Sequence, residues 1–240
     1  MTYHGNFYTK SDGSIGGTVT GMDIGTNDGY FDTFLSGINT SVDQMVAVEG
    51  DVQAARNLEA SFFSGDDRLI GSADGGSVAA RMLDGNDSVV LYGGNENDVN
   101  GNRGEDRFSL FGGGGRVRGG SDSDVIDVIG GEWRVVNGNK GNDIVTGNAA
   151  GVTYRGGADN DILAVSAGTV WGDKGADTFR GVAGDGFVTV EDYTPGEDMV
   201  QFGMAGSWSQ FGNGQMFTST DGDQLMLLAG IASADQITLV

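Results

Sequence analysis

The chain is 240 residues long, with 45 glycines, one proline, no cysteine, and 34 acidic against 13 basic residues, for a formal net charge of −21. Glycine at this frequency without a strict three-residue period excludes collagen, and 38% apolar residues at regular spacings exclude a disordered chain. Such acidity gives no electrostatic footprint for nucleic acid or an anionic membrane and makes a cation the natural counter-charge, while the missing thiols exclude disulfides and thiolate metal sites.

The opening MTYHGNFYTKSDGS has no basic region followed by an apolar run, so no cleavable N-terminal leader is expected. No stretch approaches the length of about 18 consecutive apolar residues that a membrane span needs. Residues 1–39 carry strand-like pieces at Thr18–Thr20 and Tyr30–Leu35 between Asp/Gly turns. Residues 40–63 are rich in helix formers, with Val42, Met45, Val46, Val52, Ala55, Leu58, Ala60 and Phe62 as candidate buried positions and Gly50 weakening the middle. The expectation is an N-terminal segment, 1–63, whose last part seals one end of the fold as one or two short helices. His4, the single histidine, reads as structural or exposed.

From residue 64 to 202 a phrase recurs: LDGNDSVVL at 83–91, GSDSDVIDV at 120–128, NKGNDIVTG at 139–147, GADNDILAV at 157–165. Its anchors are Asp67, Asp87, Asp106, Asp124, Asp143, Asp161, Asp177 and Asp198, close to 18 residues apart. Two residues after each anchor stand Leu69, Val89, Phe108, Ile126, Val145, Leu163, Phe179 and Val200, all apolar, and the residues between are mostly polar or small. That alternation predicts a short strand with one buried face. Seven residues before the anchors, Ala80, Val99, Val117, Val136, Tyr154 and Val170 mark a second strand, with Glu191 the exception. Strand, turn, strand, turn in about 18 residues cannot bury a face alone; stacked coils can. The predicted fold class is therefore all-β, a parallel β-roll or β-helix solenoid over 64–202, right-handed by the usual crossover preference.

The glycines ahead of each anchor are explained by tight turns. The recurring carboxylate is not. Stacked strands lie about 4.8 Å apart, so a column of unscreened aspartates would repel itself. Ca²⁺ suits such a column, as a hard cation taking six to eight oxygens from carboxylates and exposed carbonyls; Mg²⁺ demands stricter geometry, and Zn²⁺ lacks its usual ligands here.

Residues 119–127 (GGSDSDVID), 138–146 (GNKGNDIVT) and 156–164 (GGADNDILA) resemble the glycine-rich nonapeptide of hemolysin-type, or RTX, calcium-binding proteins. The resemblance covers roughly 64–202 and implies Ca²⁺ held between successive turns by Asp side chains and loop carbonyls. Carried onto this chain, it implies a ligand set of Asp87, Gly104, Asp106, Asp122, Asp124, Gly141, Asp143, Asp159, Asp161, Gly175, Asp177 and Asp198. The opposite edge (FGGGGRV, IGGEWRV, GNAAGVT) keeps glycines but mostly lacks the Asp, with GGNEND at 93–98 reading as the one real copy there. Ions are thus expected along one edge, in at most about six shared sites.

After Phe202 the period stops, and 208–230 reads as antiparallel strands joined by GNG and DGD turns, a C-terminal β cap over 203–240. Its apolar tail resembles the C-terminal export signal of type I-secreted RTX proteins. An outward ladder of Arg81, Asn100, Arg118, Asn137, Arg155, Trp171 and Asp192 reads either as a binding face for an anionic glycan or as charges offsetting the acidic loops. With no H-E-x-x-H, no G-x-S-x-G, no Walker A loop and 63 residues before the roll, the chain is expected not to be an enzyme. The reading is a non-catalytic calcium-binding protein, extracellular or at a cell surface, whose further partner is a protein or glycan surface or its own copies. The alternative is a decoration, fibre or spike component of a virion or extracellular assembly.

Overall fold

The computed structural model describes residues 2–9, 15–25, 31–41, 65–73, 78–184 and 186–240, with side chains from residue 65 onward except 72–73. The helices expected within 40–63 fall almost wholly outside the described residues. In chain order the first strands are β1 (Thr2–Thr9), β2 (Ile15–Gly25) and β3 (Phe31–Ser41). The coils follow as β4 (Arg68–Ala73), β5 (Ala79–Arg81), β6 (Ser88–Gly93), β7 (Asn97–Arg103), β8 (Arg107–Phe111) and β9 (Gly114–Ser121). They continue as β10 (Val125–Ile129), β11 (Glu132–Lys140), β12 (Ile144–Gly147), β13 (Thr153–Ala158), β14 (Ile162–Val165) and β15 (Gly168–Lys174). The last are β16 (Thr178–Gly181), β17 (Val188–Val190), β18 (Met199–Phe202), β19 (Gly206–Phe211), β20 (Gly214–Ser219) and β21 (Gln224–Leu228).

The chain is an all-β parallel solenoid. The strands after each anchoring Asp, β4 through β18 in even steps, pair in parallel in one sheet; the strands before them, β5 through β17 in odd steps, pair in parallel in the other. Register follows the repeat: Ile126 pairs with Phe108 on one side and Val145 on the other. All eight residues two positions after the anchors are buried, as their alternation requires, and they line up as one core column.

Irregularities in the repeat are absorbed locally. The 19-residue step from Asp124 to Asp143 is taken up by a register shift in β11 that skips Arg134, keeping both Trp133 and Val136 inside. Before Asp198, Val190 rather than Glu191 pairs with Val170, so the apparent exception is a one-residue offset that leaves an apolar residue in the core. Gly147 and Gly181 stand where other coils place a branched side chain. A Cβ on Gly147 would lie 2.5 Å from the Tyr154 ring, and the Phe202 ring occupies the corresponding space over Gly181. Two aromatic side chains thus fill what two glycines leave open.

At both ends antiparallel pairing replaces the parallel stack. At the start, β1, β2 and β3 form an antiparallel meander whose β3 pairs antiparallel with β4. The strand-like pieces read near Thr18 and Tyr30 correspond to β2 and β3. At the other end β19, β20 and β21 are antiparallel as expected, and β21 joins the second sheet parallel to β17. Phe202, Trp208 and Phe217 cluster between the last coil and this hairpin, with ring centroids 3.6 to 5.8 Å apart. Strand edges that would otherwise template aggregation are covered in this way.

Candidate metal centre

From Asp87 to Asp177, each turn ahead of an anchoring Asp bends through left-handed backbone at two positions, four and two residues before it. Asn102 and Gly104 do so before Asp106, and Gly120 and Asp122 before Asp124. Asp122 and Asp159, with φ of 78° and 81°, hold the place that Gly104, Gly141 and Gly175 hold in other coils; short polar side chains tolerate this region best after glycine. At Gly104, Gly141 and Gly175 a carbonyl of the preceding coil crowds the Cα (Gly85, Asp122 and Asp159 respectively), which brings successive turns into direct backbone contact.

The anchoring aspartates form a buried column. Each after Asp67 presents Oδ1 to the backbone N–H of the anchor one coil earlier: Asp67 N–H donates to Asp87 and Asp87 N–H to Asp106, each at 2.8 Å. The chain of bonds runs on through Asp124, Asp143, Asp161 and Asp177 to Asp198 at 2.8 to 2.9 Å. The second oxygen is different. Oδ2 of Asp67, Asp87, Asp106, Asp124, Asp143 and Asp161 is buried with no hydrogen-bond donor. From Asp106 to Asp177 it packs over the Cα of the glycine five residues earlier (Gly101, Gly119, Gly138, Gly156, Gly172), where no side chain fits.

An unpaired buried carboxylate oxygen is costly. Burial pushes Asp124 and Asp161 up to about 8, and Asp67, Asp106 and Asp143 up to about 7, with neighbouring carboxylates adding to the rise and backbone N–H donors opposing it in all but Asp67. Asp87 and Asp177 rise to about 6 for the same leading reason. Asp198 is the exception in bonding: Oδ1 takes the Asp177 N–H and Oδ2 takes the Thr194 N–H at 2.7 Å, so both its oxygens are satisfied. It closes the column.

The remaining sequence-predicted residues stand outside the column. Asp122 Oδ2 accepts the Gly104 N–H at 3.3 Å and Asp159 Oδ2 the Gly141 N–H at 3.2 Å, both exposed. A further ladder, not singled out from the sequence, lies one residue before the anchors. There Asp66, Asn86, Asn142 and Asn160 each accept the N–H of the equivalent residue one coil later, at 2.8 to 2.9 Å. The recurrence of Asn or Asp beside the anchor was its available signal. Among the described residues, no group of three or more His, Cys, Asp or Glu side chains converges on a point. An ion on this column would therefore combine carboxylate oxygens with turn carbonyls. The orphaned Oδ2 row fits a hard cation, since it supplies anionic oxygens that no protein donor reaches.

The opposite edge is built otherwise. GGNEND does not present its Asp: Val99 is buried one residue after Asp98, which turns Asp98 outward to pair with Arg118 at 2.8 Å and places Asn97 at the inward position. Farther along, the buried Trp133 donates its indole N–H to the Gly112 carbonyl at 3.1 Å, and the Tyr154 hydroxyl bonds the Ala149 N–H and carbonyl. Two of the outward arginines are paired with acids: Arg118 with Asp98, and Arg155 with Asp173 while lying 5.5 Å over the Trp171 ring.

These features define a parallel β-solenoid with a buried carboxylate column on one edge. No protein-family model matches the chain, and no curated protein matches it. Among solved structures it is similar to the extracellular lipase LipA from Serratia marcescens, at 17% identity and a TM-score of 0.25, covering 66% of this chain and 40% of that one. The chain thus spans well under half the length of that structure. That neighbour is a lipase, and the expectation that this chain is not an enzyme is not supported. Among the described residues no helix is long and apolar enough to cross a membrane.

Proposed function

We propose that this chain is a calcium-binding β-roll protein of the RTX kind, in which Ca²⁺ neutralises the buried carboxylate column and is required for the coils to stack. The observation that carries the reading is the row of six buried Oδ2 atoms without donors. One ionised carboxylate displaced from 3.8 to about 7 costs about 4 kcal/mol. Three such groups match the whole stability of an ordinary domain, about 5–15 kcal/mol. The column therefore needs protons or cations to offset it, and in this reading ions shared between coils take that part at neutral pH. In this reading the Asp side chains from Asp87 to Asp177 and the carbonyls of the turns through Gly104, Gly141 and Gly175 hold the ions. Asp198 ends the row without one. The repeat over 64–202 is the ion-binding part, flanked by the segment 1–63 and by 203–240, which carries the export signal. We assign its working compartment to the outside of the cell, where calcium is plentiful enough for the affinity of about 10⁻⁴–10⁻³ M expected of extracellular modules.

The test is a Ca²⁺ titration followed by circular dichroism, with Mg²⁺ as control. A cooperative gain of β signal with Ca²⁺ alone supports the reading. A fold complete in chelator at pH 8 refutes it.

A further inference from the structure

We propose that Asn97 is a built-in substitute for a cation, and that its amide makes its own turn on the second edge of the solenoid independent of metal where the turns of the first edge are not. The inference rests on reading the turns as hard-cation sites, and it concerns a position where none is expected.

Asn97 is buried, and it copies half of what each anchoring Asp does. Its Oδ1 accepts the N–H of Val78, one coil earlier, at 2.8 Å, as each Asp Oδ1 accepts the N–H of the anchor one coil earlier. The other half differs in sign. Where the aspartates end in an orphaned Oδ2, Asn97 ends in Nδ2, which lies 3.0 Å from the Gly93 carbonyl, 3.2 Å from Gly94 and 3.0 Å from Gly114. Gly93 and Gly94 belong to its own turn, and Gly114 to the next coil. Three carbonyl oxygens from two stacked turns thus converge on one atom, the arrangement a hard cation takes between turns. Here the positive end of an amide dipole occupies it, held covalently.

The consequence is a one-atom switch. Replacing Nδ2 by oxygen in Asn97→Asp sets a carboxylate oxygen against three carbonyl oxygens with no donor among them. That set repels itself when empty and forms the greater part of a Ca²⁺ shell when filled. Asn97→Ala removes the amide and supplies no anion, so the carbonyls lose their donor and no ion replaces it.

The experiment compares the full-length wild type, Asn97→Asp and Asn97→Ala at pH 7.5, in chelator, Mg²⁺ and millimolar Ca²⁺. Thermal melts are recorded and bound calcium is counted by equilibrium dialysis. Asn97→Asp is expected to melt lower than wild type in chelator and Mg²⁺, to recover most of that difference in Ca²⁺, and to bind one more calcium per chain. Asn97→Ala is expected to melt lower than wild type in all three, with no extra calcium. The proposal is overturned if Asn97→Asp gains no calcium, if its deficit is the same with and without Ca²⁺, if it fails to fold even in Ca²⁺, or if Asn97→Ala melts like wild type. Failure of the calcium reading of the first edge is scored separately: it appears as a wild type indifferent to Ca²⁺, against which the added dependence of Asn97→Asp is still measured.

Discussion

Raising the pH in the presence of a chelator should unfold this protein, and the direction follows from the carboxylate column. The anchoring aspartates from Asp67 to Asp177 have folded-state values raised from 3.8 to between about 6 and about 8. Between pH 4 and pH 8 the folded chain therefore holds more protons than the unfolded chain. Stability is fully present below the unfolded value and is lost as pH rises through the folded ones. For Asp143 alone, raised to about 7 chiefly by burial, the loss over that window is about 4 kcal/mol, at about 1.4 kcal/mol per pH unit in its middle. The assay is urea denaturation at pH 5, 6.5 and 8 in chelator, repeated in millimolar Ca²⁺, on wild type and Asp143→Asn. Wild type should lose stability steeply with pH in chelator and much less in Ca²⁺. Asp143→Asn should show a slope shallower by about one proton, which separates the column from the general repulsion of a chain carrying −21. Equal or greater stability at pH 8 than at pH 5 in chelator would refute the reasoning.

Three further outcomes are expected. A Cβ on Gly138 would lie 2.5 Å from Asp143 Cγ, so Gly138→Ala should displace that carboxylate, free the Asp124 N–H and lower stability by about 1–3 kcal/mol; Gly203→Ala, which meets nothing within 4 Å, should stay within about 0.5 kcal/mol of wild type by urea melts. Tyr154→Phe should cost about 1–3 kcal/mol by stranding the Ala149 N–H and carbonyl, while Tyr154→Ala should cost about 3–5 kcal/mol by emptying the space over Gly147 as well. Arg118→Ala breaks an exposed pair with Asp98 and should cost no more than about 1 kcal/mol, an effect that shrinks in high salt when followed by thermal melts.

The coil was legible because burial in a two-sided solenoid leaves a short-range signature. An apolar residue two places after each Asp can face only one way in a strand, so its eight repetitions in sequence become one core column in space. Signals that depend on a one-residue offset were lost. Val190 and Glu191 exchange roles because the last coil is 21 residues long, and Asn97 and Asp98 exchange roles because the inward position is fixed by Val99. Tyr154 fits the apolar pattern of the second strand and Gly147 leaves a gap in the first, and only packing shows that the one fills the space of the other. The site was legible in its Asp anchors. Its bonding was not, since the two oxygens of one carboxylate have the same chemistry on paper and opposite fates in the fold.

The bond from each anchor N–H to the next anchor's Oδ1 has a direction: every coil leans on the one that follows it in the chain. Only the last anchor, Asp198, finds both its oxygens satisfied without a further coil, one of them by the Thr194 N–H of its own turn. The solenoid is thus a fastener with a single stop, set at its C-terminal end. The two ends are therefore not equivalent: removing the last coil would strand the Asp177 N–H inside the fold, whereas removing the first would only take a donor from Asp87 Oδ1.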